Sequence, residues 1–130
     1  MSTLKTQFWV GRFVNENIFH DFFEEVFTDN DDDPISRFAE SQNEIWIDHD
    51  FMEIGFEEIN NSIADRFKNY SYADKWIEPF EKKLNEKDLT NVNVIIMVSY
   101  DNDRSQISSP KSHKEEGLQI IFLGEIEYEY

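Results

Sequence analysis

The order of apolar segments predicts an α+β fold. A small, mainly antiparallel sheet, made of an N-terminal strand plus a C-terminal β-hairpin, is expected to carry about four helices packed on one face. Three observations predict it: a compact apolar strand near the start, helix-spaced stripes through the middle, and two β-branched runs at the end. With 130 residues and no internal repeat or dividing linker, the chain is expected to form one domain. Aromatic residues make up 15% of it and supply enough buried area per residue to argue against disorder.

Phe8-Trp9-Val10-Gly11-Arg12-Phe13 reads as the first strand, with Trp9 in the core and Gly11 marking a bulge or a close helix approach. Asn15 is a helix-start signal. After it, Ile18, Phe19, Phe22, Phe23, Val26 and Phe27 fall on one helical face with Asp21, Glu24 and Glu25 opposite, so a core-packing helix is expected there. Thr28 to Asp33 breaks that helix, and Pro34 with Asp33 as its cap is expected to start the next, burying Ile35, Phe38 and Ala39. Ile45 to Glu53 is too short to label and reads as an edge strand or an ordered loop.

A third helix is expected from near Asn60 or Asn61 through Ile63, Ala64 and Phe67, with Arg66 and Lys68 toward its end, where cations suit the dipole. Ser71 and Asp74 resemble a capping box for a fourth helix carrying Ala73, Trp76, Ile77, Phe80 and Leu84. Pro79 inside it predicts a kink or a later start. Val92 to Tyr100 reads as a central strand buried on both faces. Leu118 to Tyr130 alternates strictly after Gly124, which predicts a wet face for its second half. The polar stretch 101–117 is expected to be a mobile loop joining these two strands, which are expected to pair.

Composition excludes whole classes of function. The absence of cysteine rules out disulfides, thiolate metal sites and a cysteine nucleophile. No apolar run approaches the ~18 residues of a membrane span, and the N-terminus lacks a signal-peptide pattern, so a cytoplasmic location is expected. The formal charge of -16, from 28 acidic and 12 basic residues, disfavours direct contact with nucleic acid or an anionic membrane. Thr28 to Glu58 holds eleven acids against Arg37 alone, which is -10 of that total.

Catalytic signatures are missing. There is no Gly-rich phosphate loop, no Gly-x-Ser-x-Gly elbow and no His-Glu-x-x-His, and the three histidines His20, His49 and His113 lie in different segments. Asp29, Asp31, Asp33 and Glu40 match positions 1, 3, 5 and 12 of a calcium loop, but Pro34 occupies the place that needs glycine. His49 between Asp48 and Asp50 reads as a solvated histidine in an acidic surface; on a strand, both aspartates would face away from it. The expectation is a non-enzyme with no cofactor and no specific metal.

Several of these segments, in order, carry a resemblance: Phe8 to Phe13, Asp48-His49-Asp50-Phe51-Met52-Glu53, Tyr70-Ser71-Tyr72-Ala73-Asp74, Val94 to Tyr100, and Phe122-Leu123-Gly124-Glu125-Ile126-Glu127-Tyr128. Across most of its length the chain resembles the immunity protein 22 family, departing from it in the 101–117 stretch and the Asp29 to Asp33 run. The resemblance implies a small cytoplasmic α+β module that protects a bacterium against a protein toxin of its own type, and the toxins of such systems are often nucleases.

Charge and resemblance meet at this point. A nuclease must be basic where it holds phosphate, so dense carboxylates on an inhibitor speed encounter and can block the channel. Asp31, Asp32, Asp33, Asp48, Asp50 and Glu53 are the expected recognition face. Trp46, between Ile45 and Ile47, is read either as its aromatic anchor or as an ordinary core residue. The alternative function is an acidic interaction module or nucleic-acid mimic with no toxin partner.

Overall fold

The computed structural model describes residues 3–24, 36–44, 52–59, 62–100 and 107–130. In chain order these form β1 (Thr3–Phe13), α1 (Glu16–Phe23), α2 (Arg37–Ser41), β2 (Met52–Phe56), α3 (Ile63–Phe67), α4 (Ala73–Glu86), β3 (Val94–Tyr100), β4 (His113–Glu115) and β5 (Leu118–Glu129). The five strands make one antiparallel sheet in the order β2-β3-β1-β5-β4. The α+β class is as the sequence predicts, and the C-terminal hairpin is β4-β5.

Two expectations about the sheet are corrected. The strands β3 and β5 do not pair with each other, because β1 lies between them and hydrogen-bonds to both. Nor do the helices share one face. Phe8, Val10, Ile95 and Met97 pack with Ile63, Phe67, Trp76, Phe80 and Leu84 on the α3/α4 side. Trp9, Phe13, Val94, Ile96 and Val98 pack with Phe19, Phe22, Phe23, Phe38 and Ala39 on the α1/α2 side. Successive residues of a strand point to opposite faces, so strands apolar at nearly every position demand cover on both sides.

Strand β1 begins five residues before the apolar run that announces it. In its polar first half Thr6 and Gln7 are nonetheless buried, because tertiary partners satisfy their polar groups. Thr6 Oγ1 is 2.8 Å from Ser99 Oγ and 2.9 Å from the Tyr128 hydroxyl. Gln7 donates to the Ile107 carbonyl at 2.9 Å and accepts from the Ile107 N–H at 2.8 Å. Gln42 grips Lys111 in the same way, donating to its carbonyl at 2.9 Å and accepting from its N–H at 2.7 Å, and Trp9 Nε1 also donates to that carbonyl. Residues 107–111 are thus tied down by amide side chains, and 113–115 form a strand, which corrects the expectation of a mobile loop over that half.

A bulge lies between β1 and β5. Phe8 faces Gly124 and Trp9 faces Phe122, so Leu123 is the extra residue. It changes which face the alternation serves: Leu118 and Ile120 point to the α1/α2 side, whereas Leu123, Ile126 and Tyr128 point to the α3/α4 side. Gly124 supplies the positive φ of 124° at this step. Beyond it Glu125, Glu127 and Glu129 are exposed, as the wet-face expectation holds. Gly11 does not mark a bulge or meet a helix. A Cβ there would lie 2.6 Å from the Gln119 carbonyl oxygen of the adjacent strand.

Helix boundaries follow local capping more than the apolar stripes. Asn15 caps α1 as expected, accepting from the Ile18 N–H at 2.9 Å, but the helix ends at Phe23 because Glu24 turns extended. The cap of α2 is Ser36, accepting from the Ala39 N–H, so the start expected at Asp33-Pro34 is corrected. That of α3 is Ser62, accepting from the Asp65 N–H, one or two residues past the expected start. Arg66 falls in the last turn of α3, as expected. It is buried and its Nη1 donates to the carbonyls of Thr90 and Val92 at 3.0 and 2.9 Å, and desolvation lowers its pKa. Helix α4 starts at Ala73 and is helical through Pro79, which is exposed. The expected capping box is absent, since Tyr72 holds the cap position with no side-chain bond.

Asn93 closes the end of β1. Its side chain accepts from the Phe13 N–H and donates to the Phe13 carbonyl, both at 2.9 Å, while its own N–H bonds to Gly11. Replacing it with alanine strands two buried backbone groups, so Asn93→Ala is expected to cost about 2–4 kcal/mol, read as a lower urea midpoint at unchanged slope. Gly11→Ala forces the β1-β5 pair apart and is expected to cost about 1–3 kcal/mol in the same measurement.

Candidate functional site

Of the residues expected to form the recognition face, only Glu53 falls among those described. Asp31, Asp32, Asp33, Trp46, Asp48 and Asp50 lie outside the described residues, as do His49 and the calcium-loop positions Asp29, Asp31 and Asp33.

Glu53 sits on edge strand β2, directly across from Met97, which places it on the α3/α4 side of the sheet. There its two carboxylate oxygens each accept from the Ser71 N–H at 3.3 Å. The Ser71 carbonyl in turn accepts from Trp76 Nε1 at 2.7 Å. Both backbone groups of Ser71 are therefore held, one by a surface carboxylate and one by the buried indole of α4. Among the described residues no cation pairs with Glu53.

Two residues along β2, Gly55 leaves room for the ring of Tyr70. A Cβ at Gly55 would overlap the Tyr70 phenol. The phenol crosses the strand and donates to Glu57 Oε1 at 2.9 Å. Burial pushes the Tyr70 pKa well above the usual phenol value, helped by the hydrogen bond to Glu57 and by the negative charges of Glu57 and Glu53. Tyr128 is raised too, chiefly by burial, with its hydroxyl bonds to Thr6 and Ser99 opposing. The turn between α3 and α4 is thus clamped to β2 by one carboxylate on its backbone and another on its tyrosine.

What the clamp presents is Tyr72. Its backbone is left-handed, with φ 57°, and its ring lies 5.0 Å from that of Tyr130 and 6.2 Å from that of Tyr128. Tyr128 is buried, whereas Tyr72 and Tyr130 are 45% and 44% exposed. Sequence reasoning missed this cluster because its members come from a helix cap and the end of β5, which only the sheet brings together. The signal available was the run of tyrosines at 70, 72, 128 and 130 in segments already singled out.

Elsewhere Arg37, the lone cation of the acidic stretch, is already engaged. It forms an ion pair with Glu115 and lies over the Phe22 ring, 5.7 Å from its centre. Glu115 also accepts from His113 Nε2 at 2.9 Å, and the His113 ring stacks on Phe22. The hollow beside them, about 720 Å³, is lined by Val14, Ile18, Arg37, Glu115, Glu116 and Gly117, two carboxylates against one guanidinium. No group of three or more metal-ligating side chains stands close enough together to hold an ion among the described residues. Among them too, no helix is long and apolar enough to cross a membrane.

Because Tyr70 keeps its proton longer when folded, the unfolded chain binds fewer protons above pH ~10, and stability must fall as pH rises through that range. Tyr70→Phe is expected to flatten this fall, seen in urea midpoints on either side of pH ~10. Gly55→Ala is expected to expel the phenol and return its ionisation toward the ordinary value, followed by phenolate absorbance.

Comparisons with curated proteins and with solved structures return no match. A family model described as Immunity protein 22 matches residues 6–129, from β1 to the last residue of β5. The segments it spans include Tyr72, Tyr128 and the β2 edge that carries Glu53, and end one residue before Tyr130. The chain belongs to the immunity protein 22 family, and its role is therefore that of an immunity protein whose partner is a toxin.

Proposed function

We propose that this protein binds and neutralises a basic, nuclease-type protein toxin in the cytoplasm through an acidic surface, acting by occupation and not by turnover. The observation that carries the reading is the charge: -16 overall, with eleven acids and one cation between Thr28 and Glu58. Asp31, Asp32, Asp33, Asp48, Asp50 and Glu53 supply the field, and Trp46 supplies an apolar anchor. A steered encounter raises the on-rate, while durable affinity comes from desolvated aromatic contacts within an interface of roughly 1,600 Å².

Co-expression with the toxin domain encoded beside the gene tests the role, with restored growth expected. Surface plasmon resonance with the same domain tests the mechanism. Raising salt from about 0.05 to 0.5 M is expected to slow association about tenfold or more, and the triple change D31N/D32N/D33N to slow it at low salt. An affinity indifferent to salt would refute the acidic interface, and the absence of any adjacent toxin would favour an interaction module without one.

A further inference from the structure

We infer that Tyr72 and Tyr130 form an aromatic seat for an arginine side chain of the partner, with Glu53 as the adjacent counter-charge. This rests on the reading of a basic toxin as partner and deepens it by naming the contact. The two rings are the exposed aromatic side chains among the described residues, their centroids 5.0 Å apart and their planes inclined at 49°. Beneath them Tyr128 is fixed by the Thr6-Ser99 hydroxyl pair, so the floor of the seat is rigid.

Nothing in the fold requires a tyrosine at position 72. It occupies a helix cap without making a capping bond, in a left-handed conformation that glycine or asparagine adopts with less strain. Its position is nonetheless enforced, since Ser71 before it is held by Glu53 on one side and Trp76 on the other. A large amphipathic ring held rigidly at the surface, beside another, is what interface hot spots are made of.

Charge selects the occupant. Glu53 adjoins the rings through Ser71 and no cation pairs with it among the described residues. Aromatic faces attract a guanidinium through the ring quadrupole, and a planar guanidinium can lie on a ring while bonding a carboxylate, which an ammonium does less well. An arginine therefore fits better than a lysine or an apolar side chain.

The test uses the full chain and two probes that need no knowledge of the toxin, a tetra-arginine and a tetra-lysine peptide with blocked ends. In NMR titrations the arginine peptide is expected to shift the ring signals of Tyr72 and Tyr130 and to bind roughly 2–5-fold tighter than the lysine peptide. Y72A/Y130A is expected to abolish that preference and leave lysine-peptide binding unchanged, while Y72F retains it. Y72N guards against misfolding: its melting temperature is expected to equal or exceed that of the parent while the arginine preference is lost. Equal binding of both peptides, or unmoved tyrosine rings, overturns the seat even if the toxin is neutralised as proposed. Shifted rings with an arginine preference uphold the seat even if no adjacent toxin exists, and it is then the toxin reading that falls.

Discussion

Strand β1 is hydrogen-bonded along both edges, to β3 and to β5, and its Thr6–Gly11 stretch is buried on both faces. A strand in that position can expose neither a backbone group nor a side chain without loss, so every neighbour is dictated by it. Its apolar positions require α1 and α2 on one side and α3 and α4 on the other. Where its side chains are polar, at Thr6 and Gln7, partners arrive from β3, β5 and the segment before β4 to satisfy them. At its far end Asn93 completes the pairing that β3 no longer supplies.

The candidate site is built from what this centre leaves at its margin. Glu53 stands on β2, which is an edge strand, Glu57 follows directly after it, and both spend their carboxylates on the α3-α4 turn. Those contacts reach across an open strand because Gly55 has no side chain to obstruct Tyr70. On the opposite flank, the Leu123 bulge redirects β5 so that Tyr128 faces the same helices as Tyr70 and Tyr72. Without that extra residue the alternation would continue in its earlier phase and point Tyr128 to the α1/α2 side. The tyrosine cluster is thus a consequence of one inserted residue and one missing Cβ.

Rigidity and charge are carried by different segments of this chain. The centre of the sheet is buried, whereas eleven acids concentrate between Thr28 and Glu58. The exposed rings of Tyr72 and Tyr130 stand beside a turn that Glu53 and Glu57 hold in place.

By itself the sequence determined the α+β class, the strands at β3 and β5, the first helix and its Asn15 cap, and the excess of negative charge. All of these rest on local periodicity, capping chemistry or simple counting, which need no knowledge of what lies across the fold. Only the tertiary structure decided that β1 separates β3 from β5, that both faces are covered, and that Ser36 caps the second helix. Glu53 was legible as an acid in an acidic segment, but not as the residue that holds Ser71. Tyr72 and Tyr130 lie far apart in the sequence, and Gly55 has no side chain to advertise its use. Contacts of that kind arise from strand order and from a shift of one residue in register, quantities that the pattern along the chain does not contain.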